Sequence, residues 1–163
     1  MSTYSDIITA VKARVDTVTN IGSTHGYQRY NADWSAYLSQ FRTTIGGVDQ
    51  IRAWVVTMED NNPIVGMMEN SRYGAINRQY NVLIFGFLGL DDSANTEQTF
   101  LNLVEAVMDA VDGRIDLGVT GVTDYSVGPA ALRTYQIRQL GSVLSHYCEI
   151  SLPVIVEKSV SYA

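Results

Sequence analysis

Length, composition and charge limit what the chain can be. It has 163 residues and a formal net charge of -6, with 46% hydrophobic and 17% charged residues. That length predicts a single domain over residues 1–163, whose core needs no metal or disulfide. The acidic balance argues against a nucleic-acid backbone as the main ligand, and the low share of charge predicts that part of the surface is an interface.

The first predicted element is an amphipathic helix. Thr3 and Asp6 resemble a capping box, and apolar residues recur at helical spacing up to Val18. These signals predict a helix from Thr3 to Val18. The segment is too polar for a signal peptide, and the longest apolar run, Val82 to Leu90, is too short to span a bilayer.

Five aromatic rings follow, spaced three or four residues apart. The spacing predicts a short helix from about Asn31 to Phe41, with Asn31 as its cap. Such rings stack on bases, pack in a core or contact another subunit, but Arg29 is the only basic residue among them, which disfavours bases. Core and interface both stay open, with Trp34 and Tyr37 as candidate interface residues. The five rings are Tyr27, Tyr30, Trp34, Tyr37 and Phe41.

Two strands come next, separated by a long connection. Ile51 to Met58 and Arg78 to Leu88 are rich in β-branched and aromatic residues, which predicts strands. Residues 59–77 are rich in turn-forming residues, which predicts a long loop that either moves freely or docks on a partner. The candidate interface residues of this loop are Met67, Met68 and Tyr73.

A turn rich in glycine and aspartate leads into the clearest helix. Apolar residues line one face from Phe100 to Val111, and Gly113 ends the helix. Acids near a helix's first turn offset its partial positive charge, so the preceding residues are predicted to form the turn and cap the helix. They are Gly86, Gly89, Asp91, Asp92 and Ser93. At the far end, Asp109, Asp112 and Asp116 are candidates for a solvated face or the lining of a pore.

The last third has the pattern of a hairpin. Residues 113–131 are rich in glycine, which predicts a second long loop. Leu132 to Leu140 and Val143 to Glu157 flank Gly141 and Ser142, which suit a type II′ turn between antiparallel strands. The elements together predict an α+β fold, in which helices pack on a largely antiparallel sheet of about four to five strands.

Catalytic and metal-binding patterns are sparse. His146 and Cys148 share one strand face, but zinc needs three or four ligands and no further Cys or His lies nearby. Two side chains on one strand face stand about 7 Å apart and point the same way, which suits neither a nucleophile nor its base. The turn before the long helix lacks the lysine of a phosphate-binding loop. The sequence therefore predicts no enzyme, metal or cofactor; a small hydrolase using Cys148 and His146 is a distant alternative.

Three segments resemble the phage tail terminator proteins. YNVLIFGFLGLDDSANTEQTFLNLVEAVMDAV looks like the central signature of that family, a strand, a G-x-x-G-L-D-D turn and an amphipathic helix. GSVLSHYCEISLPVIVE resembles the family's closing strand, and HGYQRYNADWSAYLSQF resembles its early segment. Together these segments cover most of the chain outside the two long loops.

The resemblance implies a structural protein of the virion, located where tail and head join and assembled in the host cytoplasm. It implies a ring-forming subunit, typically one of six, that caps the tail tube, stops its polymerisation and offers the head connector a docking face. DNA passes through the lumen, and no membrane is involved. An acidic lumen adsorbs phosphates weakly, so Asp109, Asp112 and Asp116 are candidate lumen residues. A head-side connector or neck protein is the alternative, because it shares nearly every sequence feature.

Overall fold

The computed structural model describes residues 3–67, 75–112, 117–121 and 127–159, which form an α+β fold. A short 3-10 helix, Asp92–Ala94, precedes the last helix. The helices and strands in chain order are α1 (Thr3–Val15), β1 (Ser23–His25), α2 (Trp34–Ser39), β2 (Arg42–Ile45), β3 (Val48–Met58), β4 (Ile64–Met67), β5 (Ala75–Gly89), α3 (Thr96–Val111), β6 (Ala131–Leu140) and β7 (Val143–Ser159).

The seven strands form one open, mixed sheet in the order β1-β3-β5-β7-β6, with β2 paired to β3 and β4 paired to β5. β1 runs parallel to β3, and the other described pairs are antiparallel. The predicted α+β class is confirmed, but the prediction of four to five largely antiparallel strands is wrong. β1, β2 and β4 have 3, 4 and 4 residues, too few for alternation to reveal them in the sequence.

The connection predicted for residues 59–77 contains a strand. β3 stops pairing with β5 at Met58, opposite Val82, which leaves the edge of β5 open beyond that point. β4 fills this edge, and its last residue, Met67, pairs with Asn77. β5 itself begins at Ala75, so the prediction that the loop reaches residue 77 is wrong. An edge with unpaired backbone groups favours the addition of such a short strand.

Parts of the second predicted loop also contact the sheet. Val127 forms an isolated bridge with Val154, and the backbone N–H of Glu157 donates to the carbonyl of Gly121 at 3.0 Å. These contacts cover the end of β7 that extends beyond β6. Residues 68–74, 113–116 and 122–126 lie outside the described residues.

The ends of the predicted helices differ in detail. α1 ends at Val15 rather than Val18, because the N–H groups of Thr17 and Val18 bond to carbonyls three residues back and tighten the chain into a turn. Asn20 then takes a left-handed conformation with φ +58°. α3 ends at Val111, where the apolar pattern of the sequence ends.

The turn before α3 begins later than predicted. Gly86 and Gly89 lie within β5, so their predicted role in the turn or in helix capping is wrong. The carboxylate of Asp91 accepts from the N–H of Ser93 at 3.1 Å and from its hydroxyl at 2.7 Å, which caps the 3-10 helix containing Asp92. Asn95 occupies the cap position of α3 without a side-chain cap bond. The predicted capping therefore stabilises the 3-10 helix instead of α3.

The final hairpin is confirmed. Leu140 pairs with Val143, and the two residues between them form the turn. Gly141 has φ +63°, whereas Ser142 is not among the described residues with positive φ, which is the combination a type II′ turn requires.

The two faces of the sheet carry separate hydrophobic clusters. α1 and α3 pack on one face, where the buried ring of Trp54 on β3 stacks on Phe100 of α3 with centroids 5.9 Å apart. On the opposite face a smaller cluster surrounds Phe41 and Phe87, and α2 covers it. The alternation of side chains along β3 supplies both faces: Trp54 belongs to the first cluster and Val55 to the second.

Gly86 makes room for Trp54. A Cβ atom at residue 86 would lie 2.8 Å from two ring carbons of Trp54, closer than real side chains approach each other. We expect Gly86→Ala to lower the free energy of unfolding by about 1–3 kcal/mol, because the ring must move out of a packed core. Gly66→Ala on β4 is the matched control, since a Cβ there meets nothing within 4 Å. Urea denaturation checks this, and equal stability of the two variants would contradict it.

Candidate functional site

α2 is fixed by capping hydrogen bonds at its start. The carboxylate of Asp33 accepts from the N–H of Ala36 at 2.7 Å, and the side-chain oxygen of Asn31 accepts from the N–H of Asp33 at 2.9 Å. The helix therefore begins at Trp34, and the predicted start at Asn31 is wrong because Asp33 is the cap. Tyr27, Tyr30 and Phe41 lie outside the helix, which ends at Ser39, so the predicted end at Phe41 is also wrong and the five rings do not form one helical stripe.

The last three rings form a gradient from surface to core. Trp34 is 59% exposed and Phe41 is 1% exposed, with the half-buried Tyr37 between them. Tyr37 makes edge-to-face contacts with both, at centroid distances of 5.5 and 4.9 Å. Burial raises the pKa of the Tyr37 hydroxyl. Both uses left open by the sequence are therefore present: Phe41 is core, and Trp34 is available to a partner.

A second exposed aromatic side chain lies beside Trp34. Tyr30 is 85% exposed and shares with Trp34 the lining of a surface cavity of about 400 Å³. Large exposed rings beside a concave surface are typical of sites that anchor a protein partner. We call this area the Trp34 surface; its lining residues are Tyr30, Asn31, Ala32, Trp34, Tyr37 and Leu140.

A second exposed surface lies at the hairpin end of the sheet. β6 is the last strand in the sheet order, so its outer edge has no strand partner within the described part of the chain. Ile137 and Leu144 are 57% and 53% exposed. Ile137 pairs across the hairpin with His146, and Leu144 pairs with Gln139, which places both exposed side chains on the same face of the hairpin. Unpaired backbone groups beside exposed apolar side chains favour pairing with another chain. We call this area the β6 edge.

The other predicted interface residues have a mixed outcome. Met67 is the last residue of β4, and its backbone pairs with Asn77. Met68 and Tyr73 lie outside the described residues. Their predicted role in docking stays a prediction.

The predicted lumen acids do not behave alike. Asp109 is exposed on α3. Asp112 is partly buried, and its carboxylate accepts from the N–H of Ala130 at 2.9 Å, which ties the chain before β6 to the end of α3. Asp112 therefore has a structural role that the sequence did not predict. Asp116 lies outside the described residues.

His146 is buried where α3 begins. Its Nε2 lies 3.1 Å from the Thr96 hydroxyl, its Nδ1 lies 3.3 Å from the Tyr135 hydroxyl, and its ring stacks on Phe100 at 5.7 Å. The Tyr135 hydroxyl also donates to the carboxylate of Glu97 at 3.2 Å. Burial lowers the pKa of His146, and the charge of Glu97 partly opposes that shift. His146 therefore joins α3 to the sheet as a neutral side chain.

Cys148 is a poor nucleophile. It is fully buried beneath the helices, and burial raises the pKa of its thiol to about 12. A thiol in that environment stays protonated at neutral pH, and the thiolate is the reactive form. The geometry gives no support to a hydrolase that uses Cys148 and His146.

Arg52 is a functional candidate that the predictions missed. It is 8% exposed on β3, its Nη1 donates to the carbonyl of Asn20 at 2.9 Å, and its buried Nε has no hydrogen-bond partner. None of the ion pairs in the described residues includes Arg52. The signal in the sequence is an arginine inside the apolar strand IRAWVVTM, because a buried charge normally has a partner.

The described residues contain no group of three or more His, Cys, Asp and Glu side chains that could hold a metal ion. None of the helices in that part of the chain has the length and apolar character needed to cross a membrane. Comparisons with protein-family models and with curated proteins find no match to the chain.

The gradient of exposure from Trp34 in α2 to Phe41 just after it predicts different costs for two substitutions. Phe41→Ala removes a fully buried ring, so we expect it to lower the free energy of unfolding by about 3–5 kcal/mol. Trp34→Ala removes a mostly exposed ring, and we expect a loss below about 1 kcal/mol. Urea denaturation at low protein concentration measures both values. Similar losses would place Trp34 in the core and remove it from the candidate surface.

The environment of His146 predicts a loss of stability in mild acid. Its folded-state pKa lies below the ordinary value of about 6.5, so the unfolded chain takes up the proton more readily. Its contribution is therefore complete above that value and is lost as the pH falls toward the folded pKa. We expect His146→Gln to flatten the decline in unfolding free energy between pH 7.5 and 5. Burial also lowers the pKa of His25, so the slope of unfolding free energy against pH is measured for His25→Gln as well. An unchanged slope in His146→Gln would contradict the assignment of this pH dependence to His146.

Proposed function

We propose that the chain is a tail terminator subunit. Copies of it form a ring, typically of six, that caps the tail tube of a long-tailed phage, stops its polymerisation and gives the head connector a docking face. DNA passes through the ring without specific binding. The subunit works through contacts between proteins and carries out no chemical step.

The observation that carries this proposal is the presence of two exposed surfaces on opposite faces of the sheet at its hairpin end. The Trp34 surface lies on the face of the smaller hydrophobic cluster and reaches Leu140 of β6, whereas the exposed side chains of the β6 edge lie on the face that α3 covers. A ring requires two different patches on each subunit, so that each copy contacts its neighbours head to tail. Exposed rings and an open sheet edge meet that requirement.

The segment with the family resemblance also supports the proposal. Residues 80–111 contain most of β5, then a turn at Asp91 and Asp92, then the amphipathic helix α3. This is the order of elements in the resemblance. In the described part of the chain, the histidine and cysteine side chains are buried or used in structural contacts, which favours a binding role over a catalytic one.

Three further assignments belong to the proposal. Asp109 is exposed and acidic, and we assign it to the lumen, where like charge keeps DNA from adsorbing. Met67 ends β4, and we assign it, with Met68 and Tyr73, to contact with an incoming tube subunit. The virion is the proposed location, at the junction of tail and head.

Arrest of tube growth tests the proposal. Tail-tube subunits from the same virion are allowed to polymerise with and without the purified chain, and tube length is measured by electron microscopy. We expect added chain to shorten the tubes, and we expect Trp34→Ser with Tyr30→Ser to abolish that effect by removing the exposed rings. Tyr4→Ser is the matched control, since Tyr4 is an exposed ring on α1, away from the Trp34 surface.

Two outcomes would contradict the proposal. Tubes of equal length with and without the chain would exclude terminator activity. Binding to head-side proteins alone, measured by pull-down against tube and connector proteins separately, would favour the alternative of a neck protein.

A further inference from the structure

Two surface clefts meet at Arg52. One lies beside α3 and the turn after α1, and the other lies between the β2–β3 hairpin and the start of α3; their volumes are about 670 and 550 Å³. Arg52 and Thr99 line both clefts. Arg52 is 8% exposed as a residue, the Nε of its guanidinium is buried without a hydrogen-bond partner, and no described carboxylate forms an ion pair with it, which is a costly state for a charge. A carboxylate that enters these clefts would relieve that cost.

The lining of the second cleft restricts what can enter. Val48 is 61% exposed at its rim, and Ile45 and Val143 also line it, so an apolar side chain finds contacts beside the guanidinium. Arg42, Asp49 and Asp91 line the same cleft; Asp49 is paired with Arg42, and Asp91 repels an ion with several negative charges. The cleft therefore suits one carboxylate with an apolar neighbour, and it does not suit a phosphate chain.

The outer face of α3 carries a carboxylate beside an apolar side chain. Leu101 is 40% exposed and Glu105 is exposed one turn later, so the two side chains are neighbours on the helix surface. The carboxylate of Glu105 makes no ion pair within the described chain, and α3 contains no basic residue. Asp109 follows after one more turn and repels Glu105, which destabilises the isolated helix. An unpaired acid and an unpaired buried cation are complementary features of one chain.

We propose that Arg52 anchors the contact between copies: Glu105 of the partner subunit pairs with its guanidinium while Leu101 of the partner subunit packs on the apolar rim at Val48. This rests on the proposed function, because it adds an ion pair to the head-to-tail contact between neighbouring copies of the ring. Two different patches meet, so the contact repeats from copy to copy until it closes. Arg52 thereby makes assembly depend on one desolvated ion pair.

Assembly of paired variants tests the contact. The readout is the chain concentration at half assembly, measured by sedimentation velocity. Loss of one member of a desolvated charge pair leaves the other unpaired, so we expect Glu105→Gln and Arg52→Gln each to raise this concentration at least about tenfold. The double variant should lose little more than either single variant, because both remove the same pair. Glu157→Gln and Arg78→Gln, exposed charges on β7 and β5, are matched controls expected to assemble normally.

A chemical cross-link identifies the partner directly and does not depend on Arg52→Gln folding normally. The variant Arg52→Lys places an amine at the same position, and a zero-length carbodiimide joins an amine only to a carboxylate in contact with it. Chains labelled with ¹⁴N and ¹⁵N are mixed before assembly, so mass spectrometry separates links between copies from links within one. We expect a link from residue 52 to Glu105 of the other isotope.

The outcomes separate this contact from the proposed function. Normal assembly of Glu105→Gln, or a link from residue 52 to another carboxylate, would overturn the contact and leave the ring intact. Wild-type chain that stays monomeric, with and without tube protein, would overturn both.

Discussion

The contact between Trp54 and Gly86 is the constraint on which the other features of the molecule depend. The ring of Trp54 occupies the space that a side chain at residue 86 would fill, in the middle of the β3–β5 pair. Phe100 stacks on the other side of this ring and brings α3 onto the sheet, and His146 stacks on Phe100 in turn. These aromatic contacts fix the position of α3, because an interior as dense as a crystal leaves little freedom to shift.

The position of α3 determines what the surface presents. Its first turn brings Thr96 to His146 and Thr99 to the clefts at Arg52, and its outer face exposes Leu101 and Glu105. The opposite face of the sheet has a separate aromatic cluster, in which Phe41 packs against Phe87 and carries α2 with it. Trp34 is exposed because α2 is short and has no fully buried residue, and the chain reaches the core only at Phe41, two residues after the helix ends. One buried contact on each face thus positions one candidate surface.

The sequence predicted the long, periodic parts of this fold. α3, the strand that contains Val82 and Ile84, and the hairpin at Gly141 carry enough residues for their period or turn chemistry to be unambiguous. The short strands pair because an adjacent strand has a free edge; they are β1, β2 and β4. The residues that form that edge lie elsewhere in the sequence. The same limit applies to Gly86, whose role depends on Trp54 from another strand.

The candidate site was predictable only in part, for the same reason. Spacing indicated that the aromatic residues before Phe41 share a role, but which ring is buried depends on Phe87, which is distant in sequence. Arg52 became conspicuous only when the structure showed that it is buried and that no described carboxylate reaches it. The function remains a proposal that joins these surfaces to the resemblance of residues 80–111. The proposal is that this molecule acts by binding other proteins, above all its own copies.

Native mass spectrometry of the purified wild-type chain tests that claim most directly. We expect a single closed oligomer of defined copy number to replace the 18.0 kDa monomer as concentration rises or when tail-tube protein is added. A chain that remains at 18.0 kDa under both conditions would exclude assembly into a ring.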